Sequence, residues 1–348
     1  MLLRIFSNFS KNLSIIGGNI TDTRYLINYS LQQGFDLVKV HIGVNSNHES
    51  LLDRFIRRID NILIFKKYSK DSSSNDVNIF FISGIYSYFE KVILGYFLGL
   101  KGKNIYLLRA GIFFKQFNTS LYCRFIFKVL TKKSYQFVVQ GNKFNIFKNY
   151  NIYNTVKVLP NWTITDSFNV IEKHKCFNDY PKCAFVGRFT EEKGLYDVIK
   201  LLHLFEKSNS KLDIIFLGDG ILSNYLRSLK FNYINIKVDS FETKTQLKDF
   251  LHEVNYCFLP SKSEGLPNVL FEMWELGVIP IFSYVGSIEE YLIDDFNGFQ
   301  WNQVENVYIK INHIQNNKTD ALRILKNIEN FVNKNLSHTI LKNLLEDL

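Results

Sequence analysis

From Lys182 onward the sequence alternates between short apolar runs ending in glycine and longer segments with apolar residues at helical spacing. KCAFVGRF (182–189) reads as a buried strand that stops in a glycine turn. LYDVIKLLHLFEK follows, with apolar residues at 195, 198, 199, 201, 202 and 205, the steps of one helix face. KLDIIFLGDG is a second strand running into a glycine turn. SNYLRSLK then reads as a short helix, YINIKVDSF as a strand and KTQLKDFLHEV as a helix. YCFLP is apolar on both faces, as an interior parallel strand must be. LPNVLFEMWELG predicts a helix with Pro267 near its first position and Gly277 as its stop. VIPIFSYV predicts a strand and SIEEYLID a helix. Strict alternation leaves one economical architecture, an α/β parallel sheet with helices on both faces.

The first half repeats the pattern less sharply. LLRIFSNF predicts a strand, SIIGGNI a glycine-bearing loop, TDTRYLINYSLQQG a helix closing on Gly34, and DLVKVHIGV a strand. NIFFIS, KNIYLLR, SYQFVVQ and TVKVLPNW follow as strands, with KDSSSND (70–76) as a polar loop. The basic aromatic stretch FFKQFNTSLYCRFIFKVLTKK has two readings: a core-facing helix with snorkelling lysines, or a membrane-contacting surface. The expected domains are 1–162, 163–320, and C-terminal helices over 321–348 that pack back toward the first domain.

With 348 residues, two domains are the natural division. Charge divides with them: residues 1–165 hold 22 Lys+Arg against 8 Asp+Glu, or +14, and residues 166–348 hold 20 against 25, or −5. A basic half faces nucleic acid, an anionic membrane or a phosphorylated substrate, and charge alone does not choose. The N-terminal MLLRIFSNFS has no secretory core, and the run Val92–Leu100 is about half of the ~20 residues a bilayer needs. Cys123, Cys176, Cys183 and Cys257 form no C-x-x-C pair and read as reduced thiols of a cytoplasmic protein. No histidine spacing suggests a metal, and no D-x-D triplet exists.

Four elements stand at the C-terminal ends of successive predicted strands, where open α/β sheets bind ligands. Gly187-Arg188-x4-Lys193-Gly194 offers two cations to a diphosphate. Gly218-Asp219-Gly220 is a turn that lets backbone approach a base or ribose. Ser261-x-x-Glu264-Gly265-Leu266-Pro267-Asn268 leads into a helix whose N-terminus suits phosphate oxygens. Glu272 lies one turn beyond Asn268, and carboxylates of this kind bind sugar hydroxyls. Taken singly, the cations are ordinary surface charges, the carboxylates helix residues and the glycines turn punctuation. Their order and spacing within one chain carry the functional reading.

These segments resemble the retaining GT-B glycosyltransferases of family 4. GRFTEEKG is similar to the family's G-R-x-x-x-x-K-G segment, and PSKSEGLPNVLFEMWELGVIPIFSYVGSIEEYL to its P-S-x-x-E-G…E segment with two glutamates at E-x7-E spacing. VLPNW resembles the family's V-I-P-N-G segment, and IIGGNI its N-terminal Gly-Gly loop. Met273-Trp274-Glu275-Leu276 departs from the family's run of small residues. The family's acceptor-side histidine has no counterpart in LLRAGIFFKQ, where Arg109 or the Arg109–Gly111 backbone stands instead.

The resemblance implies two Rossmann-like domains facing across a cleft. It implies Arg188 and Lys193 on the diphosphate, Glu264 on the transferred sugar, and Glu272 on the ribose. The Leu266–Asn268 backbone would lie near sugar and phosphate, and Gly17 and Gly18 would let the first domain approach the diphosphate. The expected activity is metal-independent, cofactor-free transfer, with retention, of a hexosyl or N-acetylhexosaminyl group from a UDP-sugar (or GDP-sugar). The expected acceptor is a hydroxyl of a polyprenyl-diphosphate-linked oligosaccharide. That places the enzyme in bacterial O-antigen or capsule assembly, in the cytoplasm or peripheral at the inner membrane face. Two rivals stay open: a sugar-nucleotide epimerase of the same architecture, and a basic nucleic-acid-binding protein, although no nucleic-acid module is recognisable.

Overall fold

The computed structural model describes residues 1–9, 18–42, 50–109, 111–133, 135–142, 155–161, 180–335 and 339–346. The chain forms two compact units, Met1–Thr163 with Thr339–Leu348, and Ile164–His338. Each is built on a parallel six-stranded sheet flanked by helices, two Rossmann-like folds as the alternation predicts.

In the first unit the strands are β1 (Leu2–Ser7), β2 (Asp36–His41), β3 (Val77–Ile82), β4 (Lys103–Leu108), β5 (Gln136–Val139) and β6 (Thr155–Val158). They stand in the order β2-β1-β3-β4-β5-β6, every pair parallel. The helices are α1 (Gly18–Gln32), α2 (Leu51–Lys70), α3 (Ile85–Phe97), α4 (Gly111–Thr119) and α5 (Leu121–Leu130). Right-handed crossovers send α1, which steps outward to the β2 edge, to one face, and α2 to α5, which step the other way, to the opposite face.

One aromatic ring from each of β1, β3, β4 and β5 runs through the core under α2 to α5. Phe6 pairs in register with Phe80, Phe80 with Tyr106, and Tyr106 with Phe137. The Phe6–Phe80 and Phe80–Tyr106 rings stack with centroids 4.5 and 5.0 Å apart. Phe65 of α2, Tyr88 of α3 and Phe127 of α5 close over this ladder. Aromatic pairs add about 0.5–1.5 kcal/mol beyond their buried area, which explains where an aromatic-rich sequence places its rings.

The second unit holds β7 (Lys182–Val186), β8 (Leu212–Leu217), β9 (Ile234–Asp239), β10 (Tyr256–Leu259), β11 (Ile279–Phe282) and β12 (Phe299–Gln300) in the order β12-β11-β10-β7-β8-β9, again all parallel. Its helices are α6 (Leu195–Lys207), α7 (Ser223–Ser228), α8 (Lys244–Leu251), α9 (Asn268–Glu275), α10 (Val304–Asn316) and α11 (Lys318–Asn335). The last helix, α12 (Thr339–Glu346), packs against α1 of the first unit.

Several elements differ from the sequence reading. The segment SIEEYLID forms only a 3-10 turn, Ile288–Glu290. The Asn297 side chain takes the backbone groups a helix would use, accepting from Ile293 N at 2.7 Å and donating to Tyr291 O at 2.9 Å. The aromatic basic stretch is two helices, broken at Ser120, whose hydroxyl caps α5 by accepting from Cys123 N. Helix α1 begins at Gly18, ahead of the predicted start at Thr21, and the rest of the glycine loop lies outside the described residues. The bulky run Met273-Trp274-Glu275-Leu276 is accommodated: Trp274 is fully buried, stacks edge-on with Phe331 of α11 and donates to Asn297 O at 2.8 Å. Glu275 pairs with Lys244 at 2.5 Å. Among the described residues no helix is long and apolar enough to cross a membrane.

Candidate functional site

Chain order reverses in the second sheet between β7, followed outward by β8 and β9, and β10, which returns on the other side of β7. Ligands of open parallel sheets bind at that reversal, outside the carboxyl ends of the strands. The loops that leave β7, β8 and β10 carry the motifs singled out above, and these three strands are neighbours.

The loops after β7 and β8 are tied together by backbone. Gly187 N donates to Leu217 O at 3.0 Å, Phe189 N to Asp219 O at 2.9 Å, and Leu222 N to Phe189 O at 3.1 Å. The approach is so close that a Cβ on Gly218 would lie 2.0 Å from Gly187 O. Gly220 is half-buried against the Phe189 backbone. The exposed Asp219 accepts from the Ser223 hydroxyl at 2.6 Å, and this bond, with the Gly220 amide, holds its carboxyl below the usual range. Arg188 leaves the same turn with its side chain exposed.

Lys193 ends a 3-10 turn, Glu191–Lys193, closed by Gly194 at φ 75°. Its ammonium donates to Glu264 Oε1 at 2.5 Å, and the same oxygen accepts from the buried Ser261 hydroxyl at 2.7 Å. Both side chains of the ion pair are mostly covered, 17% and 10% exposed. The first and third motifs, 71 residues apart, therefore meet directly across the β7–β10 reversal. Backbone reinforces the meeting, since Lys262 N donates to Glu192 O at 2.9 Å.

The Glu264–Pro267 loop then enters α9, with Pro267 as its N-cap residue and Asn268 as its first residue. Leu266 is buried, and Pro267 and Asn268 are half-buried. The turn after β11 supports this loop: Ser287 N donates to Gly265 O at 2.8 Å, and Gly286, at φ 62°, lies against the Glu264 and Gly265 carbonyls. Gly286 and Ser287 thus belong to the cluster. Their signal in the sequence was the Val-Gly pair ending the β11 segment. Glu272 is half-buried one turn into α9. Burial pushes the Cys257 thiol of β10 up, and the Glu272 charge adds to that push.

The structure therefore brings Gly187, Lys193, Gly218, Asp219, Gly220, Ser261, Glu264, Gly265, Leu266, Pro267, Asn268 and Glu272 to one sheet edge. Arg109 and Gly111 lie in the first unit. Arg109 is buried, donates to Asn161 Oδ1 at 2.7 Å and stands 3.7 Å from the Asp22 carboxylate. Gln140 donates to the same Asn161 oxygen at 2.6 Å. Gly111 opens α4. Gly17 lies outside the described residues, and Gly18 opens α1. Among the described residues no group of three or more His, Cys, Asp or Glu side chains could hold a metal ion.

Chemically, the edge combines a paired ammonium, an exposed guanidinium and a helix N-terminus, all suited to phosphate oxygens, with carboxylates suited to hydroxyls. Residues 166–330 match the family model described as glycosyl transferases group 1. Over 216 residues the chain is 26% identical to an uncharacterised glycosyltransferase of Methanocaldococcus jannaschii, covering 60% of this chain and 54% of that protein, so it spans about half of that relative's length. Solved structures share the fold. Sucrose-phosphate synthase from Thermosynechococcus elongatus superposes with a TM-score of 0.75 at 12% identity, covering 99% of this chain and 97% of that one. HepE from Anabaena in complex with UDP superposes with a TM-score of 0.67 at 12% identity, covering 100% and 99%.

Proposed function

We propose that this chain, whose residues 166–330 match the glycosyl transferases group 1 family model, is a metal-independent, retaining glycosyltransferase using a UDP-sugar. The observation that carries the reading is the Lys193–Glu264–Ser261 cluster at the strand-order reversal beside the start of α9. In this reading the diphosphate lies against the Lys193 ammonium and the sugar hydroxyls against the Glu264 carboxylate. The UDP bound by HepE, the fold relative, supports UDP over GDP.

In the proposed reaction the bond between the sugar anomeric carbon and the diphosphate oxygen breaks. A bond from that carbon to the acceptor oxygen forms on the same face. The acceptor proton passes to the departing phosphate. Lys193 and Arg188 stabilise the charge on the leaving group, aided by the α9 dipole, and do the work a divalent cation does elsewhere. Glu264 orients Lys193 and reaches the transferred sugar, and Glu272 holds the ribose hydroxyls. The donor belongs to residues 163–320 and the acceptor to residues 1–162. The +14 charge of residues 1–165 supports an anionic acceptor, a polyprenyl-diphosphate-linked saccharide of bacterial surface polysaccharide assembly at the inner membrane face.

The test is a thermal-shift and calorimetry screen of UDP- and GDP-sugars. A ligand at about 100 times its Kd adds about 2.7 kcal/mol to the folded state. Glu264→Gln and Lys193→Ala are each expected to lower turnover by about 10²- to 10³-fold with an unchanged circular dichroism spectrum. No shift with any nucleotide sugar, or near-normal turnover in both variants, refutes the assignment. The anomeric configuration of the product, read by NMR, tests retention.

A further inference from the structure

The first unit leaves a large apolar surface uncovered, and most of it lies on one side. Of the seventeen exposed large hydrophobic side chains described in the unit, fourteen lie on α2, α3 and α5. These are the helices that the crossover handedness puts on a single sheet face, and α3 packs against both α2 and α5.

Helix α2 shows the pattern best. Among its described side chains Asn61, Phe65 and Ser69 are buried, and Ile64 and Tyr68 are partly buried against the core. Leu52, Phe55, Ile59 and Leu63 recur every three or four residues along a different side, and are 67%, 62%, 44% and 58% exposed. A helix with one buried stripe needs no second apolar stripe, and each such side chain left in water forgoes roughly 25 cal/mol per Å². Phe97 at the end of α3 and Leu121 and Phe125 on α5 extend the surface.

Charge identifies what covers it. Helix α2 carries Arg54, Arg57, Arg58, Lys66, Lys67 and Lys70 against Asp53 and Asp60, and residues 101–165 contain no Asp or Glu at all. Two copies of so basic a face repel each other. A purely electrostatic partner such as nucleic acid has no use for the leucines and phenylalanines. Basic helices with exposed Leu, Ile and Phe match one surface, the headgroup boundary of an anionic bilayer.

We propose that the outer faces of α2, α3 and α5 form a docking surface for an anionic phospholipid membrane. Phe55, Ile59 and Phe125 enter the acyl boundary, and the lysines and arginines of α2 and α5 contact lipid phosphates. The inference deepens the membrane-held acceptor proposed above and rests on that reading, since it holds the chain where such an acceptor resides.

The experiment is sedimentation of the full chain with pure phosphatidylcholine vesicles and with vesicles of equal parts phosphatidylcholine and phosphatidylglycerol. The wild type is expected to partition onto the anionic vesicles roughly tenfold or more above the neutral ones. Phe55→Ser with Ile59→Ser is expected to lower that partitioning by roughly tenfold, with an unchanged melting profile because both side chains are exposed. Lys66→Glu, Lys67→Glu and Lys70→Glu together are expected to remove the preference for anionic lipid. Absence of binding by the wild type, or equal binding by the serine variant, overturns the proposal. So does a wild-type dimer in light scattering that the serine variant makes monomeric, because the face then belongs to a second copy. UDP-sugar binding, measured without vesicles in the same proteins, separates the two readings. Vesicle binding without donor binding sinks the enzyme assignment alone, and donor binding without vesicle binding sinks the docking face alone.

Discussion

Gly194→Ala perturbs the junction on which the proposed donor site depends. Gly194 sits at φ 75° between the 3-10 turn that ends in Lys193 and the start of α6. A Cβ there would lie 2.0, 2.6 and 2.7 Å from three atoms of Pro260, two of them backbone. Reaching the 3.4 Å of ordinary contact from 2.0 Å moves the loops after β7 and β10 apart by about 1.4 Å. The left-handed backbone costs about 1–2 kcal/mol for a residue with a side chain, and overpacking adds about 1–3 kcal/mol, or about 2–5 kcal/mol in all. Gly34→Ala is the internal reference. Gly34 has φ 78° with nothing within 4 Å of its Cβ position, so it incurs only the backbone part, about 1–2 kcal/mol. The displacement also stretches the 2.5 Å Lys193–Glu264 pair and is expected to weaken donor binding. Urea unfolding followed by circular dichroism measures the stability loss, and calorimetry with a UDP-sugar measures the functional loss. Equal destabilisation by the two alanines, or wild-type donor affinity in Gly194→Ala, refutes the reasoning.

Three further outcomes follow from buried charge in the first unit. Arg109→Leu removes a buried guanidinium 3.7 Å from the buried Asp22 carboxylate and is expected to cost about 3–5 kcal/mol in urea unfolding, far more than an exposed lysine such as Lys66→Ala. Burial alone pushes the Asp76 carboxyl up, but the Ser73 amide, the Arg4 guanidinium at 2.7 Å and the Leu2 amide outweigh it and hold it below its ordinary 3.8. Its contribution is therefore complete above pH 3.8 and lost as the pH falls below it, so Asp76→Asn should be less stable at pH 7 and show a flatter acid unfolding curve. Lys91 is buried, donates to Phe81 O at 2.6 Å, and burial lowers its pKa from 10.5 to about 8. Between those values the unfolded chain binds more protons, so stability should rise from pH 8 toward 10.5 in the wild type, and Lys91→Met should abolish that rise in pH-dependent melting.

The elements legible in the sequence were those whose signal is local. β7 and β8 each show a buried apolar run cut off by a glycine turn, and the turn lies where the strand ends. Helix α2 has no clear periodic signal because apolar residues on its outer side blur the inner stripe of Phe65 and Ser69. Its boundary signal, the Ser50–Asp53 capping box, is visible only as an ordinary serine and aspartate. The segment Ser287–Asp294 differs from its local pattern for the opposite reason. Its own helix propensity is sound, but a side chain from Asn297 claims its backbone.

The candidate site divides along the same line. The residue types and spacings from Gly187 to Glu272 were set by the sequence, because each motif lies within one strand-loop-helix passage. That Lys193 meets Glu264 was decided by the tertiary structure, because β10 is laid beside β7 only when the chain reverses its order across the sheet. Arg109 is the clearest contrast. The sequence offered an arginine at a strand end, while the fold packs it against Asn161 and Asp22 from two other elements. Pairing between distant segments rests on burial and on which strands become neighbours, and neither is encoded in the spacing of any single segment.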